Sequence, residues 1–270
     1  LTRSTDRILT THVGSLPRPA ALLALANDRR NNERAYEEQL AEAVKGIVRK
    51  QRDHGIDIID DGEFGKPDFA GYINERLEGF SPGHVELGGA PRRDMQHFPQ
   101  YYEEIARERQ AGGSMTRMYP PLVCTGPVRY VGHAALKRDI DNLKAAITGL
   151  DPADVFMPAI SPENAQVGKR NEYYPSEREF AIALADALNE EYRLIVAAGF
   201  TVQVDDPQLI TYFNRNPDKS VDECRRWIAE RIEIINHALR GIPEQSIRFH
   251  TCYSFDAAPR LGDMELKDIL

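Results

Sequence analysis

Short apolar runs alternate along the chain with longer stretches whose apolar residues recur at helical spacing. The first run, Arg7 to Val13, stops at Gly14-Ser15-Leu16-Pro17. From about Asn32 to His54 the pattern changes. Leu40, Ala43, Val44, Ile47 and Val48 fall at i, i+3, i+4, i+7 and i+8, one apolar stripe along a helix. Gly55 closes that helix, and Ile56 to Asp60 reads as a second strand that turns at Asp61-Gly62-Glu63. Leu122 to Cys124 is a third apolar run, Val155 to Ala159 a fourth, Thr201 to Val204 a fifth and Ile247 to Thr251 a sixth. Helices are expected over Ala134 to Leu150, from Ser176 to Ala198 and from Ser220 to Arg240. The last two open with Ser-x-x-Glu, the pattern of a capping box. Leu261 to Leu270 reads as the start of another helix.

Strands alternating with helices point to an α/β fold with a parallel sheet and helices outside it. No Gly-x-Gly-x-x-Gly follows the first strand, which removes the main support for a dinucleotide-binding sheet. A (β/α)8 TIM barrel fits the alternation, although six strands are counted where the closed form has eight. Residues 1–270 are therefore expected to form a single catalytic barrel domain that lacks its last strands, part of a longer protein. The stretch from Gly79 to Gly113 is rich in Gly, Pro and Arg, with one helical piece near Tyr101 to Gln110. It reads as an excursion from the barrel, a lid or an oligomer contact.

Active residues of such barrels sit at the C-terminal ends of the strands. There the sequence offers His12 and Ser15, then Asp60, Asp61 and Glu63, then Thr125 with the Gly126 backbone. Ser161 and Glu163, Asp205 and Asp206, and finally His250 and Cys252 complete the set. An acidic mouth with His and Cys suits a metal ion or an amino group. In His250-Thr251-Cys252 the imidazole and the thiol stand two residues apart, so on a strand they share a face, as a zinc site needs. The same pair also reads as a buried histidine beside a structural cysteine. Asp205-Asp206 ends an apolar strand, where two acids are costly to bury without a partner. Asp206 could equally cap the next turn. Cys124, Cys224 and Trp227 read as core residues.

Composition narrows the class. Hydrophobic residues make up 41% and charged residues 28% of 270, the balance of an ordinary globular protein. A net charge of -8 and a pI near 5.5 argue against a nucleic-acid or anionic-membrane partner, which would need a basic face. Mean hydropathy is -0.49, and no run approaches the roughly 20 apolar residues of a membrane span. The N-terminus has no apolar signal-peptide core, and the three cysteines are too few and odd in number for a disulfide framework. A cytoplasmic protein is expected.

Four separated segments together resemble the cobalamin-independent methionine synthase family, in its catalytic C-terminal barrel and its single-barrel relatives. They are Thr10 to Pro17, Gly55 to Phe64, Val202 to Pro207 and His250 to Ser254, in the family order. The resemblance implies a barrel of the methionine synthase and uroporphyrinogen decarboxylase type. It implies that Gly14 and Ser15, with His12 beside them, meet the carboxylate of homocysteine. It implies that Glu63 and Asp205 hold the amino group and serve as the catalytic acids, and that His250 and Cys252 bind Zn. The family's other zinc ligands, a glutamate and a second cysteine, would lie on strands that should follow residue 270. At position 206 the family usually has glutamate, and here it is Asp206.

The implied reaction is zinc-dependent methyl transfer to a thiol, from homocysteine to methionine, by an S-methyltransferase without tightly bound cobalamin. Its partners would be a homocysteine-like thiol and a methyl donor, with a homo-oligomer as a further expectation. The sequence leaves open whether the donor is a folate, a corrinoid or another methyl carrier. Other readings are a zinc-dependent thiol alkyltransferase of the epoxide–coenzyme M or corrinoid-linked type, a metal-free decarboxylase of the same superfamily, and a non-catalytic binding protein. A pair of acids placed for an amino group favours an amino-acid thiol.

Overall fold

The computed structural model describes residues 3–84, 92–108, 120–147, 149, 155–252 and 263–269. The chain runs through α1 (Ala20–Asn27), α2 (Glu33–Asp53), β1 (Leu77–Pro82), α3 (Arg93–His97) and α4 (Pro99–Glu108). It continues through β2 (Leu122–Tyr130), α5 (His133–Ala146), β3 (Phe156–Ile160), α6 (Pro162–Gln166) and β4 (Lys169–Asn171). The last part holds α7 (Glu177–Ala197), β5 (Thr201–Asp205), α8 (Gln208–Arg215), α9 (Val221–Ala238) and β6 (Ile247–His250).

Five segments make one parallel wall in sequence order. Thr11 bridges Ile58, Ile59 bridges Val155, β3 pairs with β5, and β5 pairs with β6, all parallel. The register sets Ile160 beside Asp205 and Asp205 beside His250, so the strand ends lie in one row. Val202 and Val204 are fully buried in the main core. That core is covered by the apolar stripes of α2 and α7, whose Leu40, Val44, Leu184 and Leu188 are all buried. Strands buried on both faces read as near-continuous apolar runs, which is why β3 and β5 are legible in the sequence.

The other face of the wall holds Phe156, Gln203 and Arg248. The Arg248 guanidinium carbon lies 4.3 Å from the centre of the Phe156 ring, and Nη1 donates to Thr11 Oγ1 at 3.1 Å. Thr11 and Arg248 belong to the first and last segments of the wall. In a flat sheet, four strand spacings of about 4.8 Å would hold them roughly 19 Å apart. The hydrogen bond therefore requires the wall to curl, with Arg248 and Phe156 on its concave side.

Several expected elements differ. The first two strands shrink to isolated bridges at Thr11, Ile58 and Ile59. Asp57, at the start of the second segment, takes the Thr10 N–H on its side chain at 2.7 Å, and that N–H is thereby diverted from a ladder. The third run does not join the wall. Leu122 to Cys124 opens the nine-residue β2, which pairs antiparallel with β1 and parallel with β4 in a separate three-stranded sheet. There Cys124 is the register partner of Phe80 and is fully buried, and Val123 is buried too, so the apolar run reflects burial in this second sheet and not in the wall. The second and fourth expected strands are thus direct neighbours in the wall. Within the stretch from Gly79 to Gly113, the residues to Pro82 belong to β1, α3 and α4 follow, and residues 85–91 and 109–119 lie outside the described set. Near the end, the expected helix over Leu261 to Leu270 is a 3-10 turn at Leu266–Asp268, and residues 253–262 and 270 are outside the described set. Among the described residues no helix is long and apolar enough to cross a membrane.

Candidate active site

The row of strand ends carries the candidate residues. Asp205 is the last residue of β5 and is 5% exposed. Its Oδ1 accepts from Gln203 Nε2 at 2.7 Å, two residues earlier on the same face. Burial, with the Glu63 carboxylate nearby, pushes Asp205 up to about 7, although Lys66 and the Gln203 hydrogen bond pull the other way. Asp206 faces elsewhere. Its Oδ1 accepts the N–H groups of Gln208 and Leu209 at 2.8 and 3.1 Å at the start of α8, so it acts as a cap.

Glu63 sits on the turn after the second segment. Asp60 and Asp61 build that turn: their Oδ1 atoms accept the N–H groups of Gly62 and Glu63 at 3.0 and 2.8 Å. Burial and the neighbouring acids push Asp60 well up, and burial pushes Asp61 up to about 6. Glu63 itself is 1% exposed, with φ at 58°, the left-handed region. Its Oε2 lies 3.9 Å from the buried Lys66 Nζ, while its Oε1 is buried without a hydrogen-bond partner. Lys66 also donates to the Pro158 carbonyl on β3 and lies 4.4 Å from the centre of the Tyr72 ring. A buried acid with one oxygen unsatisfied is ready to accept a donor from a ligand.

His12 Nε2 is 2.5 Å from the Gly14 carbonyl, so the ring folds back on its own turn. Gly14 has φ at 80°, and Ser15 beside it is exposed. Leu16 N donates to Gly62 O at 3.1 Å, which joins the Gly14–Ser15 turn to the Glu63 turn.

At the end of β6, His250 Nε2 and Cys252 Sγ are 3.3 Å apart. Burial and the Arg248 charge lower His250 and keep its ring neutral, the form that ligates metals. Burial, Asp205 and Asp206 raise Cys252, so its thiol does not ionise unaided. Side by side, an imidazole nitrogen and a thiol sulfur among acids are donors that zinc accepts. They fit as part of a zinc ligand set. Among the described residues no group of three His, Cys, Asp or Glu side chains could hold a metal.

The structure thus brings Glu63, Asp205, His250 and Cys252 to one end of the wall and puts Gly14 and Ser15 on a turn tied to Glu63. His12 serves its own turn, and Glu163 at the start of α6 is 3.3 Å from Arg231 on α9. Lys66, Arg18 and Arg248 escaped the sequence reading. Arg248 had a readable signal: it stands two residues before His250 and so shares its face. Arg18 lies between two prolines directly after the Gly-Ser turn, a place where a charge would not help a helix or a strand.

A family profile described as the catalytic domain of cobalamin-independent synthase matches residues 8–147, more than half of the chain. The chain belongs to the cobalamin-independent methionine synthase family. The matched span includes Gly14, Ser15 and Glu63. A methionine synthase of Sulfolobus acidocaldarius is 30% identical over 249 residues, covering 90% of this chain and 61% of that protein. One of Thermococcus kodakarensis is 28% identical over 250 residues, covering 91% of this chain and 62% of its own. The chain thus spans about three fifths of the length of these curated relatives. Among solved structures, a B12-independent methionine synthase of Shewanella sp. W3-18-1, in complex with selenomethionine, superposes with a TM-score of 0.58 at 20% identity. It covers 91% of this chain and 61% of that one. A putative vitamin-B12 independent methionine synthase of Listeria monocytogenes gives 0.62 at 19% identity, covering 91% and 67%. At these identities the likeness concerns the fold.

Proposed function

We propose that this chain transfers a methyl group to the sulfur of homocysteine, giving methionine, within a (β/α) barrel of which the five-segment wall is a part. The observation that carries the reading is the convergence of two buried acids, Glu63 and Asp205, on the strand-end row that also bears His250 and Cys252. Acids alone would suit any cation, and a His–Cys pair alone any soft metal. Together they suit a molecule with an amino group at one end and a thiol at the other.

In this reading Glu63 Oε1 and Asp205 accept N–H bonds from the substrate ammonium, and Ser15 with the Gly14 turn meets its carboxylate. Holding both ends fixes the direction of the sulfur, and such positioning supplies a large share of catalysis in group transfer. Zinc, held by His250 and Cys252 as part of its ligand set, would supply a stabilised thiolate near neutral pH. As the sulfur–carbon bond forms, the thiol proton has left and the donor keeps the electron pair of its broken bond to the methyl group. The burial of Asp205 and its neighbours limits water at the strand ends. Family membership and three free cysteines favour a cytoplasmic setting for this chemistry.

The test is a donor screen. Zinc-supplied protein is mixed with L-homocysteine and, in separate reactions, methyl-folate, methylcobalamin and an S-methyl donor, and methionine is measured by mass spectrometry. Methionine above the protein-free control with one donor is the expected result. None with any donor would overturn the reading.

A further inference from the structure

Arg18 stands outside the strands, yet it ties together the two turns that carry the proposed ligand-binding groups. Its Nη2 donates to the Glu63 carbonyl at 2.7 Å and to the Lys66 carbonyl at 2.8 Å. Arg18 follows the Gly14–Ser15 turn by three residues, and Pro17 and Pro19 on either side restrict its backbone. The second link between the turns, Leu16 N to Gly62 O at 3.1 Å, lies close by on each side of the same contact.

The position it grips is a demanding one. Glu63 has φ at 58°, and among the described residues it is the non-glycine residue in the left-handed region. A long side chain rarely adopts that conformation unless the surroundings hold it. Two charge-assisted bonds to the carbonyls at each end of Glu63–Lys66 do so. The result is a carboxylate with Oε2 towards Lys66 and Oε1 left buried and without a partner.

We propose that Arg18 is a positioning residue that sets the spacing between the Ser15 turn and the Glu63 carboxylate, and thereby selects ligands bearing an amino group and a carboxylate on one carbon. This rests on the amino-acid reading of the site. A ligand with only one of the two groups uses one turn and is indifferent to the distance between them. A ligand with both feels that distance directly.

Three thiols separate these cases: L-homocysteine, 4-mercaptobutanoate, which lacks the amino group, and 3-aminopropanethiol, which lacks the carboxylate. Their affinities are measured by calorimetry for the wild type, Arg18→Met and Arg18→Lys, each first checked for a cooperative thermal transition. Arg18→Met is expected to lose tenfold or more in affinity for homocysteine, a smaller factor for 3-aminopropanethiol, which feels only the loosened Glu63 carboxylate, and less than twofold for 4-mercaptobutanoate. Arg18→Lys keeps a donor near both carbonyls and is expected to fall between, which preserves the test if the methionine variant does not fold. Equal losses for all three thiols would reduce Arg18 to general support, and no loss for homocysteine would remove its role. A wild type that fails to prefer homocysteine over both single-ended thiols would overturn the amino-acid reading itself, and this proposal with it, before any variant is compared.

Discussion

Asp205 and His250 are register partners across β5 and β6. The acid suited to an ammonium and the imidazole suited to a metal are thus one strand spacing apart, about 4.8 Å. Cys252 comes within 3.3 Å of the imidazole from two residues on. Because the sheet fixes that spacing, one group at the amine end and one at the sulfur end of a bound ligand, Asp205 and His250, would be held by adjacent backbone strands.

Asp205→Asn keeps the shape of the side chain and removes its charge. A charge-assisted hydrogen bond contributes roughly 1.5–3 kcal/mol, a factor of about 10–150 in affinity. L-homocysteine binding should weaken by such a factor, while 4-mercaptobutanoate, with no ammonium to lose, should change little. Calorimetric titration of both thiols reads the difference. Equal weakening would mean that Asp205 does not face the amino group.

The raised acids make stability depend on pH in a defined direction. Asp205 near 7 and Asp61 near 6 both lie above the value of about 3.9 for an exposed aspartate. Their neutral forms favour the fold. That contribution is complete below about pH 4 and is lost as the pH rises through the native values. Ligand-free, metal-free protein should therefore lose stability between pH 5 and pH 8. The loss is on the order of a few kcal/mol at most, since a tenfold change in an acid's ionisation constant corresponds to about 1.4 kcal/mol. Denaturant midpoints across that range give the slope, and Asp205→Asn should flatten its upper part. A wild-type protein whose midpoint rises over the same interval would contradict the burial of these acids.

Cys252→Ser tests the metal. The core packed on α2 and α7 contains neither His250 nor Cys252, so the variant should keep its far-ultraviolet circular dichroism. Zinc content after dialysis, measured by elemental analysis, should drop well below that of the wild type, because a hydroxyl replaces a thiolate ligand. Wild-type zinc content in the variant would show that Cys252 is no ligand.

What the sequence disclosed depended on how local the cause was. The helices α2, α7 and α9 could be read because one stripe of apolar residues and a serine cap or a closing glycine specify each. Ser220 and Glu223 close a reciprocal capping box, and Ser176 accepts the Glu179 N–H. The wall strands β3, β5 and β6 were apolar runs between turn residues. Leu122 to Cys124 looked the same, and its antiparallel partner β1 was hidden by the Gly and Pro that punctuate Gly79 to Pro82. Pairing between distant segments leaves no local pattern. In the site, strand-end position alone brought out Glu63, Asp205, His250 and Cys252. Lys66 and Arg18 act across 92 and 45 residues of chain, on Pro158 and Glu63, and no spacing rule reaches them.

Glu63 gives the last prediction, because its backbone and its charge can be separated. Glu63→Gln and Glu63→Gly both remove the carboxylate, so both should lose the preference for homocysteine over 4-mercaptobutanoate. They differ in the backbone. Glutamine keeps a side chain at φ 58°, whereas glycine adopts that angle without a steric penalty. The left-handed conformation costs a non-glycine residue roughly 1–2 kcal/mol, part of which glycine gives back through its greater freedom in the unfolded chain. Glu63→Gly should therefore be the more stable of the two by about 1 kcal/mol in urea denaturation. A site that needs its acid at this angle accepts that strain for the sake of where the carboxylate points. If Glu63→Gln proved the more stable variant, the turn would not be strained, and the angle of Glu63 would need no support from Arg18.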